Sequence, residues 1–167
     1  MARSARRGVG PTVVLDARGL VRLAAGDPIV REYVRQAHAR DGEVVTAAST
    51  LAEVLRGGPG DASVHQALKH VTVVPIDYHL ARQAGALLAP ASDRDAAPAA
   101  GGRADAGHSA AGHSAAGHAG TQGSLLAAVA LRQPRPVVLL TADQGSMMRL
   151  TGEPHRREAD RVVVIGI

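Results

Sequence analysis

The sequence predicts a three-layer α/β domain, with a central parallel β-sheet flanked by helices. Two observations carry that reading. Short runs rich in Val, Leu and Ile recur along the chain, each too brief for a helix and each apolar at consecutive positions, as in strands buried on both faces. Between them lie longer segments whose apolar residues recur at helical spacing, and this alternation is the signature of parallel βα units.

Taken in order, Thr12 to Leu15 is the first strand, and it ends in Asp16. Gly19 to Ala25 reads as a short helix, and Gly26-Asp27-Pro28 as a stop and restart, with Asp27 as the N-cap and Pro28 in the first helical position. The helix that follows carries Ile29, Tyr33, Val34, Ala37 and His38 at helical spacing and closes at Asp41-Gly42. Glu43 to Ala47 is the second strand. Ser49 to Arg56 is a capped helix stopped by Gly57-Gly58-Pro59, and Asp61 to His70 is another. Val71 to Ile76 is a third strand ending at Asp77, and Tyr78 to Ala89 is helical. A helix beginning near Gln122 continues through Leu125 to Arg132, Val137 to Thr141 is the fourth strand, and Arg161 to Ile165 closes the sheet. Met147, Met148 and Leu150 mark a short helix and read as core filling. His155, Arg156 and Arg157 fall in the connection before the last strand, as a solvated turn or as phosphate contacts.

The expected organisation is a basic N-terminal tail over residues 1–10 and one domain over 11–167, interrupted by a low-complexity loop at about 90–120. That loop is dominated by Ala, Gly, Ser and Pro. His108, His113 and His118 recur in it every five residues, which invites a metal-binding reading. On a helix this spacing turns successive rings by about 140°, and on a strand it puts them on opposite faces, so neither regular structure gathers them.

Composition narrows the function classes. A chain of 167 residues can bury a sizeable core, but aromatics make up 1% of it, so Val, Leu, Ile and Ala must build that core. Without Cys there is neither a disulfide framework nor a thiolate metal site. Eighteen Arg against the single Lys69, with a net charge of +4, point towards polyanionic partners. The N-terminal region lacks a signal-peptide core and no apolar run approaches a membrane span, so a cytoplasmic protein with no membrane partner is expected.

Asp16 and Asp143 both stand where a strand ends, the edge at which open α/β sheets bind ligands. Asp16 can equally cap the helix after it, accepting from the N–H of Gly19 or Arg18. Glu53 lies on the helix after the second strand, and Thr50-x-x-Glu53 also fits a capping box.

Val-Val-Leu-Asp16, Leu-Ala-Glu53-Val-Leu-Arg-Gly-Gly-Pro and Val-Val-Leu-Leu-Thr-Ala-Asp143, in this order and spacing, resemble the PIN-domain family, most closely the VapC-like toxin ribonucleases of actinobacterial type. The resemblance covers nearly the whole chain outside the 90–120 loop. It implies a metal-dependent ribonuclease that hydrolyses phosphodiester bonds in single-stranded or structured RNA. It makes Asp16, Glu53 and Asp143 the catalytic and metal-binding acids, Thr141 a supporting residue, and Mg²⁺ or Mn²⁺ the cofactor. It further implies a cognate antitoxin as partner, and a homodimer.

Such a cluster needs a cation. Two carboxylates about 4 to 5 Å apart repel by roughly 3 to 4 kcal/mol at an effective dielectric near 20, and hard oxygen ligands suit Mg²⁺ or Mn²⁺. The chain departs from the family's pattern where Gly120 and Gly123 stand in its Asp-x-x-Asp-Ala segment and Ser146 in its Thr-x-Asp-x-x-Asp segment, so the acids expected at Gly123 and Ser146 are absent. Three acids imply one ion. The alternative is a catalytically impaired PIN-like module that binds RNA or an antitoxin. A phosphatase or phosphoryl-transfer switch is set aside, because position 18 is Arg rather than a second Asp and the one Lys, Lys69, does not follow a late strand.

Overall fold

The structure is a computed structural model and describes residues 10–89, 115–152 and 156–167. Its strands are β1 (Thr12–Leu15), β2 (Glu43–Ala47), β3 (Thr72–Val74), β4 (Val137–Thr141) and β5 (Val162–Gly166). Its helices are α1 (Ala17–Ala24), α2 (Pro28–Ala39), α3 (Ala48–Val54), α4 (Asp61–Leu68), α5 (Tyr78–Leu88), α6 (Ala115–Arg132) and α7 (Gln144–Leu150), with a 3₁₀ turn at Glu158–Asp160.

All strand pairs are parallel and the sheet order is β3-β2-β1-β4-β5. The chain therefore builds outward from β1 to β3, crosses back through α5 and α6, and builds outward again on the other side. The order reverses between β1 and β4, where connections leave in opposite directions and open a crevice at the strands' carboxyl ends.

Alternation along the strands makes the three layers. Val14, Val45 and Leu139 face α5 and α6, against Leu80, Ala84, Leu126 and Val129, all buried. Val13, Leu15, Val44 and Leu140 face the other way, onto Val30, Val34 and Ala37 of α2. Leu20, Val64 and Ala67 form a smaller cluster joining α1 to α4. Among the described residues, no helix is long and apolar enough to cross a membrane.

Several expectations change. Gly10, placed in the N-terminal tail, is buried, and a Cβ there would lie 2.0 Å from the Arg40 carbonyl oxygen. It belongs to the domain because only glycine allows that backbone approach. The low-complexity loop of about 90–120 lies outside the described residues from 90 to 114, but Ala115 to Gly120 are the opening turns of α6. His108 and His113 are likewise outside the described residues, and His118 falls in that helix's first turn. Met147 is core as expected, whereas Met148 is 57% exposed: α7 is a short surface helix with one face on the core.

Candidate metal-binding active site

Three chain segments bring acids to the crevice. Asp16 follows β1 directly and caps α1, its Oδ1 accepting from the Gly19 N–H at 2.6 Å. Its Oδ2 accepts from the Ala142 N–H at 2.8 Å, just beyond β4. The cap expected from the sequence is therefore present, and the same carboxylate also ties the ends of the two strands flanking the switch point.

Asp143 is held by local turn chemistry. Its N–H donates to Thr141 Oγ1 at 3.0 Å, and its Oδ1 accepts from the Ser146 N–H at 3.0 Å, capping α7. The Ser146 hydroxyl and backbone N–H together hold the Asp143 carboxyl below the ordinary aspartate range, so it stays ionised. Thr141 is buried, and its hydroxyl oxygen sets the turn that positions Asp143.

Glu53 departs from the capping-box reading. β2 runs into α3 without a turn, the N-cap is Ala47 with no side-chain cap bond, and Thr50 is already the third helical residue and buried. No hydrogen bond reaches the Glu53 carboxylate from the described residues. Desolvation, and then the charge of Asp16, push its pKa up, against a smaller opposing pull from Arg56. The residue is exposed overall, yet it lines the same cavity as Asp16.

Asp16, Glu53 and Asp143 line one cavity of about 170 Å³, with Thr50 and Thr141 among its walls. Gly123 lines it too. A Cβ on Gly123 would meet Met147 Cε at 2.8 Å, so the thioether's flexible end occupies the space a side chain would take. Gly120 instead faces Leu88 of α5, with its Cβ direction 3.9 Å from Leu88 Cδ2. Ser146 spends its N–H on Asp143 and accepts from Arg149 Nη2 at 2.9 Å.

Sequence reasoning missed Gln122 as a lining residue of the cavity; its carboxamide oxygen is buried and has no hydrogen-bond partner among the described residues. The available signal was its position one turn before Leu126, a polar group on the face that packs inward. A larger cavity of about 540 Å³ lies between α1, α2 and α4, lined by Arg31, Arg35, His38 and apolar groups including Leu23. It contains no carboxylate, so its size does not make it the acidic site.

Among the described residues, no three His, Asp or Glu side chains stand ready to ligate a metal ion together. The donor chemistry still fits Mg²⁺ or Mn²⁺. Carboxylate, carboxamide and hydroxyl oxygens surround a space with room for an ion and waters, and Mg²⁺ commonly binds through one or two carboxylates with water completing its shell. Neither a known protein-family model nor a curated protein matches the chain.

Proposed function

We propose that the chain is a metal-dependent ribonuclease of the PIN type that hydrolyses phosphodiester bonds in single-stranded RNA. The observation that supports it is the meeting of Asp16, Glu53 and Asp143, from three separate segments, in one cavity at the sheet's switch point. One or two of these carboxylates, with water completing the shell, would hold Mg²⁺ or Mn²⁺, and the third would close on the ion only by moving from where it stands. When bound, the ion supplies Lewis-acid polarisation of the phosphate and acidifies a water.

The chain's own groups do the rest. Asp16, fixed at both oxygens by backbone N–H groups, offers a preorganised charge that need not reorient during reaction. Asp143 remains anionic at neutral pH. Burial and the charge of Asp16 disfavour the Glu53 carboxylate while the site is empty, and an ion bound there would favour its charged form. Arg18, Arg56 and Arg149 are exposed on α1, just past α3 and on α7, the elements bordering the cavity, and supply phosphate contacts. The toxin role, a cognate antitoxin, a cytoplasmic location and a homodimer belong to this same reading.

A second reading has its own support. Gly123 and Ser146 leave the acidic set short, which favours a module that binds RNA or an antitoxin without efficient cleavage. Incubation of end-labelled single-stranded RNA with the protein and Mn²⁺ separates them. The ribonuclease reading expects cleavage that a chelator stops and that Asp16→Asn lowers about 100-fold or more. Binding without cleavage supports the second reading, and neither binding nor cleavage overturns both.

A further inference from the structure

The larger cavity, of about 540 Å³, has a volume in the range that holds small organic molecules. It shares no lining residue with the acidic cavity. Its shape follows from helical spacing: Arg31, Val34, Arg35 and His38 fall on one face of α2, while α4 contributes Ala67 and His70 follows its end. Leu23, near the end of α1, joins Val34 and Ala67 as apolar lining.

The ionisable side chains along this cavity, Arg31, Arg35, His38 and His70, are all basic. The acids on the same stretch are already engaged. Glu32 accepts from Arg35 Nε and Nη2 at 2.8 and 2.6 Å and from Gln36, and Asp27 accepts from Arg22. Arg31 is left with neither an ion pair nor a hydrogen bond from its guanidinium among the described residues. That group lies beside the backbone at Gly26, where φ is +82° and a Cβ would stand 3.4 Å from Arg31 Cζ, so glycine there leaves it room.

Apolar walls beside an uncompensated guanidinium are complementary to an amphipathic anion. A bare inorganic anion leaves the apolar walls in water, and an uncharged apolar molecule covers Arg31 without pairing it. We propose that this cavity binds a small organic anion, with its acidic group on Arg31 and its apolar body against Leu23, Val34 and Ala67. The planar guanidinium fork suits the paired oxygens of a carboxylate, phosphate or sulfonate, and the imidazoles of His38 and His70 supply further N–H donors.

Anilinonaphthalene sulfonate is such an anion and fluoresces on leaving water, and phenylnaphthylamine is an uncharged counterpart. Titration of the full-length protein with each at neutral pH and low salt, followed by fluorescence, tests the proposal. Saturable binding of the sulfonate is expected, about fivefold or more tighter than that of the amine. Arg31→Gln should weaken the sulfonate by about the same factor and leave the amine unchanged. Arg82→Gln, which removes an equal charge from exposed α5, should leave both unchanged. Octanoate should displace the sulfonate at concentrations where inorganic phosphate does not.

No saturable binding of the sulfonate would overturn the proposal, as would binding that Arg31→Gln leaves within about twofold of wild type. Equal losses in Arg31→Gln and Arg82→Gln would show a response to net charge alone and would also overturn it. Amine binding as tight as the sulfonate's would mark a purely apolar groove, and displacement by phosphate as effective as by octanoate would mark a plain anion patch; either result contradicts an amphipathic ligand. Arg31 is exposed, so its variant should keep the wild-type far-UV circular dichroism. If it does not, the pattern of competition by octanoate and phosphate on the wild-type protein decides.

Discussion

Asp16 joins two elements through a single carboxylate, accepting from Gly19 on α1 and from Ala142 beyond β4. Removing it therefore has a structural cost as well as a chemical one. Asp16→Ala should lose about 1 to 2 kcal/mol in urea unfolding, the usual range for a lost cap, whereas Asp16→Asn keeps one acceptor and should lose less. The Asn variant is accordingly the cleaner probe of activity. Glu53 behaves in the opposite sense. Its folded pKa is raised above the ordinary glutamate value, so the folded chain disfavours its charge, and stability falls as pH rises through the window above that value. Glu53→Gln should match the wild type in urea at pH 4 and exceed it at pH 7. Saturating Mn²⁺ should reverse the pH 7 order, since ligand at 100 times its Kd adds about 2.7 kcal/mol to the protein that binds it. At Gly123, Gly123→Asp should raise Mn²⁺-dependent RNA cleavage above both wild type and Gly123→Ala. Either side chain must displace Met147 Cε, so the Ala variant isolates that packing change. Equal rates for the two variants would mean that position 123 does not serve the ion. Asp16 and Asp143 were legible because strand-end acids follow from local pattern. Glu53 was ambiguous, since Thr50-x-x-Glu53 fits a capping box whenever the helix starts at residue 50, and only the turnless join of β2 to α3 moves that start.

At the scale of elements, the junction of α1 and α2 shows how much local chemistry settles. Asp27 caps α2 through the N–H groups of Ile29 and Val30, Pro28 opens the helix, and Arg22 pairs with Asp27 at 2.6 Å. Asp27→Ala should cost about 1 to 2 kcal/mol in urea unfolding, mostly from the cap, because the partly exposed ion pair adds little. A loss below about 0.3 kcal/mol, the level of a cap replaced by Gly, would contradict that. Caps of this kind are written within four residues, which is why the start of α2 could be read directly. The start of α6 could not. Gly117, Gly120 and Gly123 each weaken a helix by about 1 kcal/mol relative to Ala, so local propensity places the boundary late. Packing overrides it: Gly120 lies against Leu88 of α5 and Gly123 against Met147 of α7, contacts between residues far apart in sequence. Met148 was misjudged for a related reason, since a helix as short as α7 buries one face and two adjacent methionines cannot both occupy it.

At the scale of the molecule, the position of the site follows from topology. Strand and helix alternation gave a parallel sheet, but the β3-β2-β1-β4-β5 order depends on which way the chain crosses after β3, and that information is spread over the whole fold. The reversal beside β1 gives Asp16 and Asp143 neighbouring strand ends despite the long separation between them in sequence. The charge distribution acts at this scale too. With Tyr33 and Tyr78 as the only aromatics, RNA would be gripped through Arg–phosphate contacts rather than stacking. Three such contacts on a single strand predict that binding weakens about 20-fold between 50 and 200 mM salt. The central claim is that Asp16, Glu53 and Asp143 act as one unit on RNA, and a double-mutant cycle on Mn²⁺-dependent RNA cleavage tests it most directly. Residues that serve a single ion are strongly non-additive, so Asp16→Asn and Asp143→Asn should each reduce the rate about 100-fold or more, with the double variant little slower than either. Single variants that cleave at the wild-type rate, or losses that multiply in the double variant, would contradict it.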